Sequence, residues 1–456
     1  MRAYESVNPF TEELLSAFDF IQADEVDIIL EDANKAFLTW RKLGFSERAL
    51  YVERLAKLLR ENASELAEIA SIEMGKLLSH SKAEVLKSAS VCDYCISDAE
   101  RVLAAKTTQI ENGIEIEIAY KPLGVILGIY PWNFPYWQVI RSAIPALMSG
   151  NTVLVKPAPN VPRSAIKLQT LFEKAGFPHG VIQTLFASDE LISGIIADKR
   201  VSAVTLTGSE RAGSAVAAQA GKAIKPVVLE LGGSDPFIIR QDADLDSLME
   251  QAIFSRFQNN GQSCVAAKRF IVHQTLATAF TEKLKIGLDK MKFGNPLDLT
   301  TDQGPLARYD LLEGLKNQIQ ESIEKGAEVL YQSKEIPSKG FFHPIMVLGN
   351  IPAHSRAFKE ELFGPVLSVY TFETDEEAIQ IANQTKYGLG CSIWTKDLET
   401  AKNMSEEIES GMVYINQIVK SDVRFPFGGC KQSGFGRELG EEGLKAFCMV
   451  KTRWIR

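Results

Sequence analysis

Cys264 stands in a setting that suits a reactive thiol. It follows the polar stretch QNNGQS, residues 258–263, in which no side chain requires a place in an apolar core. A cysteine attacks as its thiolate, which needs a cationic or amide-rich environment, and a helix starting in VAAKR, residues 265–269, would help to lower the thiol pKa. An isolated cysteine is more often a buried structural residue, and no histidine nearby in the sequence supports a Cys–His pair. The polar neighbours nevertheless favour a nucleophile.

Other side chains that could do chemistry stand where apolar stretches end. Such stretches predict buried strands, and the ligands of parallel sheets bind at the carboxyl ends of the strands. Lys156 could hold a ribose or phosphate or be a solvated strand end, and Glu230 could be a base or a structural hydrogen-bond acceptor. The residues in these positions are Asn133, Lys156, Thr207, Gly208, Ser209 and Glu230.

The stretch LTGSERAG, residues 206–213, is the better of two candidate phosphate sites. A predicted strand runs into Gly208 and Ser209 at the start of a predicted helix, whose free N–H groups and dipole favour a phosphate. Ser-Glu at a helix start is also a common cap. The stretch GFGREL, residues 434–439, does not meet the dinucleotide fingerprint, because a loop precedes it and Leu439 stands at the third glycine position.

Metal catalysis and a disulfide framework find no support in the sequence. Six cysteines in 456 residues are too few for a disulfide scaffold. Cys92 and Cys95 form a CxxC, but a second pair at metal-ligand spacing is missing and the flanks predict a helix, so two packing cysteines are expected. The histidines form no metal-like spacing; they are His80, His179, His273, His343 and His354. No metal site is therefore predicted.

The composition excludes several classes of partner. Lys and Arg number 50 against 58 Asp and Glu, a formal charge of −8, and this acidic balance argues against a nucleic-acid surface. No apolar run reaches the roughly 18 residues of a membrane span, and the N-terminus has no apolar secretory core. We expect a cytoplasmic protein of two or three domains.

The first 120 residues predict helices and then a hairpin. Residues 24–105 have helical periodicity, with Ser46 as a plausible N-cap and Gly75 as a helix end. Residues 108–120 alternate as a β-hairpin with Asn112-Gly113 at its turn. From the pattern alone, this hairpin is equally a solvated sheet edge or an arm that meets another subunit.

The rest of the chain alternates strands with helices. Residues 123–230 and 235–425 each have the pattern of βαβ units, which predicts a parallel sheet in each segment and two α/β domains. The final residues, 445–456, could form a strand. The helices predicted for the second segment cover residues 244–258, 275–290, 310–326 and 375–383.

Several motifs follow one another along the chain: PWNFP (131–135), VKPA (155–158), TGS (207–209), LELGG (229–233), NNGQSC (259–264), EELFGPV (360–366) and PFGGCKQSGFGRE (426–438). In type and order they resemble the aldehyde dehydrogenase superfamily over essentially the whole length. The resemblance implies an α/β fold with a Rossmann-like cofactor domain (1–102 and 121–230) and a second α/β domain for catalysis (231–428). It also implies a small β oligomerisation arm (103–120 and 429–456) that builds a homodimer or homotetramer.

The resemblance implies roles for three catalytic residues. Cys264 would be the nucleophile that attacks the aldehyde carbonyl. Asn133 would donate its side-chain amide to the developing oxyanion, beside the Cys264 backbone N–H, and such donors are often worth about 3–4 kcal/mol of barrier. Glu230 would be the general base for the hydrolytic water and could first accept the thiol proton.

The resemblance also implies a nicotinamide cofactor, NAD or NADP. Lys156 would hold the adenosine ribose, Gly208 and Ser209 the pyrophosphate, and Glu361 the nicotinamide ribose. Many NAD-preferring relatives carry an acid where this chain has Pro159. A carboxylate would repel a 2′-phosphate and proline does not, so both cofactors are expected. The other predicted cofactor contacts are Tyr130, Pro131, Trp132, Leu231 and Phe363.

Two residues resemble the succinate-semialdehyde branch of the superfamily. Arg141, eight residues after Asn133, and Ser421, five before Pro426, stand where that branch binds a substrate carboxylate. A guanidinium suits a carboxylate, and an internal ion pair is the alternative for Arg141. Some relatives carry a second cysteine two residues after the nucleophile as a redox switch; this chain has Ala266 there.

The predicted reaction is the NAD(P)-dependent oxidation of a small aldehyde bearing a carboxylate, succinate semialdehyde to succinate, through a thioester on Cys264. Three alternatives stay open. A CoA-acylating enzyme typically lacks a base at the position of Glu230. A broad-range aldehyde dehydrogenase would not need Arg141. A catalytically silent structural protein need not keep Cys264, Glu230 and Asn133 together.

Overall fold

Four helices occupy most of the first hundred residues in the computed structural model, which describes residues 4–110 and 113–456. The helical prediction for residues 24–105 is confirmed, with breaks. Ser46 is not the N-cap: the helix starts at Phe45 and its N-cap is Gly44, whose N–H donates to the Glu47 carboxylate at 2.7 Å. Gly75, at φ 75°, does end a helix. The elements are β1 Tyr4–Val7, β2 Leu14–Phe18, α1 Ala23–Trp40, α2 Phe45–Glu61, α3 Ala63–Met74 and α4 Leu78–Leu103.

Residues 123–230 alternate strands and helices as predicted, and they include one helix that was not predicted. That helix, α7, is only nine residues long. The elements are β3 Lys106–Ile110, β4 Ile114–Pro122, β5 Val125–Ile129, α5 Trp137–Met148, β6 Thr152–Lys156, α6 Pro162–Lys174, β7 Ile182–Thr184, α7 Asp189–Ala197, β8 Val201–Thr207, α8 Glu210–Lys222 and β9 Val227–Glu230.

Strands and helices also alternate from residue 235 to the end of the chain. The four predicted helices are present, as α9, α10, α11 and α13, whereas the short strand β13 and the polar helix α14 were not predicted. The elements are β10 Asp235–Ile239, α9 Leu245–Phe257, β11 Ala267–His273, α10 Gln274–Leu288, α11 Tyr309–Glu324, β12 Glu328–Gln332, β13 Met346–Gly349, α12 Arg356–Lys359, β14 Val366–Phe372, α13 Asp375–Asn383, β15 Tyr387–Gly388, β16 Gly390–Trp394, α14 Leu398–Glu407, β17 Met412–Ile415, β18 Cys430–Lys431, β19 Gly434–Phe435, α15 Gly440–Lys445 and β20 Cys448–Ile455.

Two larger sheets contribute residues to the candidate site. The first has the order β19-β9-β8-β5-β6-β7 and is parallel except for β19. The second has the order β12-β13-β14-β11-β10-β16-β17 and is parallel except for β12. Lys156 and Glu230 end strands of the first sheet, whereas Cys264 precedes β11 of the second. The site therefore combines the carboxyl edge of one sheet with the amino edge of the other.

A third, antiparallel sheet joins the hairpin to the C-terminus in the order β20-β4-β3. Its long pairing runs from Cys448 opposite Pro122 to Ile455 opposite Glu115. The predicted hairpin and C-terminal strand are thus present, while Asn112 of the predicted turn lies outside the described residues. In the same C-terminal segment, β19 extends the first sheet instead.

None of the helices in residues 4–110 and 113–456 combines the length and the apolar character that a bilayer crossing requires.

Candidate active site

The loop that carries Cys264 is held by asparagine side chains. After α9, Asn259 and Asn260 adopt left-handed φ angles of 53° and 56°, a conformation that asparagine tolerates better than most residues. Asn259 Nδ2 donates to the Asn133 carbonyl at 3.0 Å and to the Gln262 carbonyl at 2.9 Å. Asn260 Nδ2 donates to the Gly75 carbonyl at 2.6 Å. The polar residues before the cysteine thus build a fixed turn.

A strand follows Cys264, and the expected helix is absent. The stretch 265–269 leads directly into β11, which begins at Ala267, so no helix dipole acts on the thiol. Burial raises the Cys264 pKa to about 11, although Arg141 and then Lys268 act in the opposite direction. The expected helix and the lowered pKa are therefore not found, because residues 267–273 form an interior strand of the second sheet and burial outweighs the effect of the two cations. At neutral pH the resting thiol is protonated and needs a base.

The raised pKa predicts a pH-dependent alkylation of Cys264. Because only the thiolate reacts, the rate of labelling by iodoacetamide should rise about tenfold per pH unit from pH 7 to 10. Peptide mass spectrometry of Cys264, with the Cys264→Ser variant as the blank for the other cysteines, measures this rate. A rate that is flat between pH 7 and 9 would show an already ionised thiol and contradict the account.

Asn133 is brought to the cysteine loop, as predicted for an oxyanion donor. Its Nδ2 donates to the Gln262 carbonyl at 3.1 Å, and its Oδ1 accepts from Gln138 Nε2 at 2.9 Å. These two bonds turn the amide nitrogen toward the loop of Cys264. Asn133 itself is buried, so the amide is preorganised.

A buried ion pair fixes the segment behind Asn133. The Glu84 carboxylate accepts from the backbone N–H groups of Tyr136 at 2.8 Å and Trp137 at 3.0 Å, at the start of α5. Glu84 also pairs with the fully buried Lys76. The carboxylate thus satisfies orphan donors at the helix start, although neither residue was identified from the sequence.

The carboxylate of Glu230 lies against Gly428 in this structure and is not part of the wall of a cavity that opens onto Cys264. Both its oxygens are buried and have no hydrogen-bond partner among the described residues. A β-carbon at Gly428 would lie 2.5 Å from Glu230 Oε1, so the glycine makes room for it. Burial, and secondly Glu438, raise the Glu230 pKa well above its usual value. To serve Cys264, the side chain must rotate away from Gly428.

Arg141 makes an internal ion pair, the alternative considered from the sequence. Its Nε contacts the carboxylate of Glu438, and both side chains are 3% exposed. Its Nη2 donates to Thr207 Oγ1 at 3.2 Å, and its guanidinium lies 4.9 Å from the Phe427 ring centroid. Glu438 belongs to the GFGREL stretch, 297 residues further along the chain, so the sequence could not show this pairing.

A cavity of about 180 Å³ opens onto Cys264. Aromatic side chains form much of its wall, and three cations, Lys87, Arg141 and Lys420, contribute charge. Ser421 lines it as predicted and accepts a hydrogen bond from Lys87 Nζ at 2.6 Å. Lys87 was not identified from the sequence, because a lysine within a long helix such as α4 carries no motif that marks a binding site. The apolar wall comprises Phe134, Trp137, Phe254, Val265 and Phe427.

The predicted phosphate site differs in detail from the expectation. The Gly208 N–H is not free, because it donates to the Glu230 carbonyl at 3.0 Å. Ser209 caps α8, its Oγ accepting from the Ala212 N–H at 3.3 Å. A cofactor pyrophosphate at this helix start would therefore meet a Ser209 side chain that already accepts a hydrogen bond from the Ala212 N–H.

Lys156 lies buried at the end of β6, and burial lowers its pKa. Its nearest carboxylate is the exposed Asp189, at 3.8 Å between Nζ and Oδ1. Pro159 is exposed, and next to it both amide atoms of the buried Asn160 have no partner among the described residues. Unpaired buried polar atoms are rare without a ligand or water. This end of the site therefore fits the ribose of a dinucleotide.

Glu361 and Phe363 approach the site from the loop before β14. Lys268 Nζ pairs with Glu361 Oε1 at 2.9 Å and donates to the Ser263 and Cys264 carbonyls, each at 2.8 Å. Lys268 was not identified from the sequence, although it ties the nucleophile loop to Glu361. The Phe363 and Trp132 rings meet edge-on at 5.7 Å.

The remaining predicted cofactor residues follow strands of the first sheet, Tyr130 and Pro131 after β5 and Leu231 after β9. Leu231 packs against Gly213, where a β-carbon would lie 2.6 Å from it. The Tyr130 hydroxyl is engaged with Ser142 Oγ at 2.6 Å. Pro131 follows β5 in the segment that leads to Asn133.

Known proteins resemble this chain over nearly its whole length. The chain matches the model of the aldehyde dehydrogenase family over residues 1–453. It is 42% identical over 449 residues to the succinate semialdehyde dehydrogenase NAD(P)+ Sad of Escherichia coli K12, covering 98% of this chain and 97% of that one. It is 43% identical to a probable NADP(+) succinate-semialdehyde dehydrogenase of Synechocystis, and the match covers 99% of this chain and 100% of that one. The crystal structure of the Streptococcus pyogenes succinic semialdehyde dehydrogenase with NADP+ superposes with a TM-score of 0.97 at 37% identity, covering 99% and 100%. This chain belongs to the aldehyde dehydrogenase family.

Proposed function

We propose that this protein oxidises succinate semialdehyde to succinate with NAD or NADP as the electron acceptor. The observation that carries the proposal is the cavity at Cys264, which combines apolar walls with three cations. Glu84 also lines it, but its carboxylate is committed to Lys76 and to the start of α5. Burial lowers the His80 pKa to about 4, so this side chain is neutral. The net charge of the wall therefore favours an aldehyde that carries a carboxylate.

The thioester would form and break on Cys264. Its sulfur bonds to the aldehyde carbon while the thiol proton passes to Glu230, and the oxyanion faces Asn133 Nδ2. NAD or NADP, when bound, supplies the acceptor for the hydride that leaves this carbon. After Glu230 has released the thiol proton to solvent, a water attacks the thioester and gives a proton to Glu230. The C–S bond then breaks, the acid leaves, and the Cys264 thiolate takes the proton back from Glu230, which restores the thiol. Both proton transfers to Glu230 require an ionised carboxylate that has turned from Gly428 toward Cys264, out of the buried position that raises its pKa.

The cofactor would be held by residues of both domains. Lys156 would donate to the adenosine ribose, and Glu361, oriented by Lys268, would accept from the nicotinamide ribose. Pro159 places no carboxylate against a 2′-phosphate, which supports the use of both cofactors. The relatives named for NAD(P)+ and NADP+ support the same proposal.

A steady-state comparison tests the substrate. We expect kcat/KM for succinate semialdehyde to exceed that for butanal, which has the same chain length without the carboxylate, by about 10- to 100-fold, as a charge-assisted hydrogen bond would give. Reduction of NAD and of NADP, followed by absorbance, measures both values. Equal values for the two aldehydes would contradict the substrate assignment and favour a broad-range enzyme of the same family.

We also propose that the β20-β4-β3 sheet joins subunits into a homodimer or homotetramer. The sheet presents large apolar side chains to solvent: Val450 is 61% exposed and Trp454 is 68% exposed. Burial of this surface against a second copy would stabilise the assembly.

A further inference from the structure

We propose that Gln138 is a positioning residue: it holds the side-chain oxygen of Asn133, so that the amide N–H of Asn133, and not that oxygen, faces the oxyanion formed at Cys264. The inference rests on the proposed function, because it concerns the step in which Cys264 attacks a carbonyl. An Asn133 amide turned through half a rotation would present an acceptor to a negative oxygen and would oppose this step.

The Asn133 amide is held at both of its ends. Its Nδ2 donates to the Gln262 carbonyl at 3.1 Å, and its Oδ1 accepts from Gln138 Nε2 at 2.9 Å. A backbone carbonyl only accepts, so the nitrogen must face Gln262 and the oxygen must face Gln138. An amide nitrogen has two N–H groups. The bond to Gln262 uses one of them, which leaves the other for an oxyanion.

The amide of Gln138 is committed to this bond. Gln138 is 2% exposed, and its Oε1 is buried without a hydrogen-bond partner among the residues that the structure describes. Turning the Gln138 amide would bring Oε1 against Asn133 Oδ1, and two acceptors do not bond. An unpaired buried oxygen costs stability, and an apolar side chain of the same length would avoid that cost. The bond to Asn133 is therefore the use to which this glutamine is put.

The backbone of Gln138 is fixed relative to Asn133. The Gln138 N–H donates to the Phe134 carbonyl at 3.2 Å. The two preceding N–H groups, of Tyr136 and Trp137, donate to the buried Glu84 carboxylate at 2.8 and 3.0 Å. Three successive donors at the start of α5 are thus satisfied, and the Gln138 side chain leaves a rigid turn.

Two reagents that attack the same thiol separate orientation of Asn133 from general damage. With p-nitrophenyl acetate, the Cys264 sulfur bonds to the acetyl carbon and the thiol proton passes to Glu230. The ester C–O bond then breaks, and p-nitrophenolate leaves with the electron pair. This reaction passes through an oxyanion and needs no cofactor. Iodoacetamide alkylates the same sulfur and forms no oxyanion.

Replacing Gln138 by methionine keeps the length of the side chain and removes the donor. The rate of the p-nitrophenolate burst should fall about 10- to 100-fold, the effect of a misplaced catalytic group, while the rate of alkylation by iodoacetamide stays unchanged. The variant Gln138→Leu should give the same pattern. The matched control is Gln219→Met on α8, where the glutamine Oε1 is also buried without a partner among the described residues; it should keep both rates.

A double-mutant cycle identifies Asn133 as the group through which Gln138 acts. In an Asn133→Ala background, Gln138→Met should not slow acetylation further, because no amide remains to be oriented. With saturating NADP, Gln138→Met alone should lower kcat/KM for succinate semialdehyde by the same factor as acetylation and leave the KM for NADP unchanged.

Acetylation as fast as in the wild type would overturn the proposal. So would an equal fall of acetylation and alkylation, or an equal loss in the Asn133→Ala background, since both would show general disturbance of the site. A wild type that is acetylated on Cys264 but does not oxidise succinate semialdehyde would overturn the proposed function instead, and the acetylation rates would still decide the role of Gln138.

Discussion

Replacing Glu230 by glutamine is expected to lower kcat at pH 7 by about 10²- to 10⁴-fold, the usual worth of a general base. The reason lies in the thiol: burial raises the Cys264 pKa to about 11, so thioester formation as well as hydrolysis needs a proton acceptor. At pH 9 the thiolate fraction is about a hundred times larger, and formation of the thioester should recover. Reduced cofactor should then appear in a burst equal to the enzyme concentration, followed by slow turnover.

Stopped-flow absorbance measures this burst. The Cys264→Ala variant is the control and should show none, because no thioester can form. A Glu230→Gln enzyme that turns over at the rate of the wild type would show that another group is the base.

Replacing Arg141 by methionine is expected to lower the free energy of unfolding by about 3–5 kcal/mol. The substitution removes one partner of a buried ion pair and leaves Glu438 uncompensated, which is the costly way to break such a pair. Chemical denaturation of the wild type and the variant measures the difference.

The matched control is the double variant Arg141→Met with Glu438→Gln. It removes both charges and should recover more than half of the loss. An Arg141→Met protein as stable as the wild type would contradict the structural role. The expected instability also means that lost activity in an Arg141 variant does not by itself identify a carboxylate contact.

Much of the fold could be predicted because each element carries its own periodicity. The strands that end at Lys156 and Glu230 are short apolar runs bounded by polar residues and glycines, and the structure confirms them. The helix predicted after Cys264 is absent, although the two alanines and two basic residues of VAAKR favour a helix locally. Pairing of β11 between β10 and β14 overrides that preference.

The contacts that tune the site could not be predicted, because they join distant segments. Arg141 meets Glu438, and Lys87 meets Ser421 across 334 residues; neither pair leaves a spacing that can be recognised. Glu230 was identified from the sequence as a candidate base, but its position against Gly428 depends on the packing of the C-terminal loop. The motifs thus identified the candidate catalytic residues, whereas their partners, orientation and pKa shifts depend on the fold.

The most direct test of the central claim is the intact mass of Glu230→Gln enzyme quenched in acid after mixing with succinate semialdehyde and NADP at pH 9. We expect a mass increase equal to one succinyl group, located on Cys264 by peptide mapping, and one reduced cofactor for each modified enzyme molecule. Reduced cofactor without any adduct on Cys264, under conditions where hydrolysis is blocked, would contradict a thioester on this cysteine.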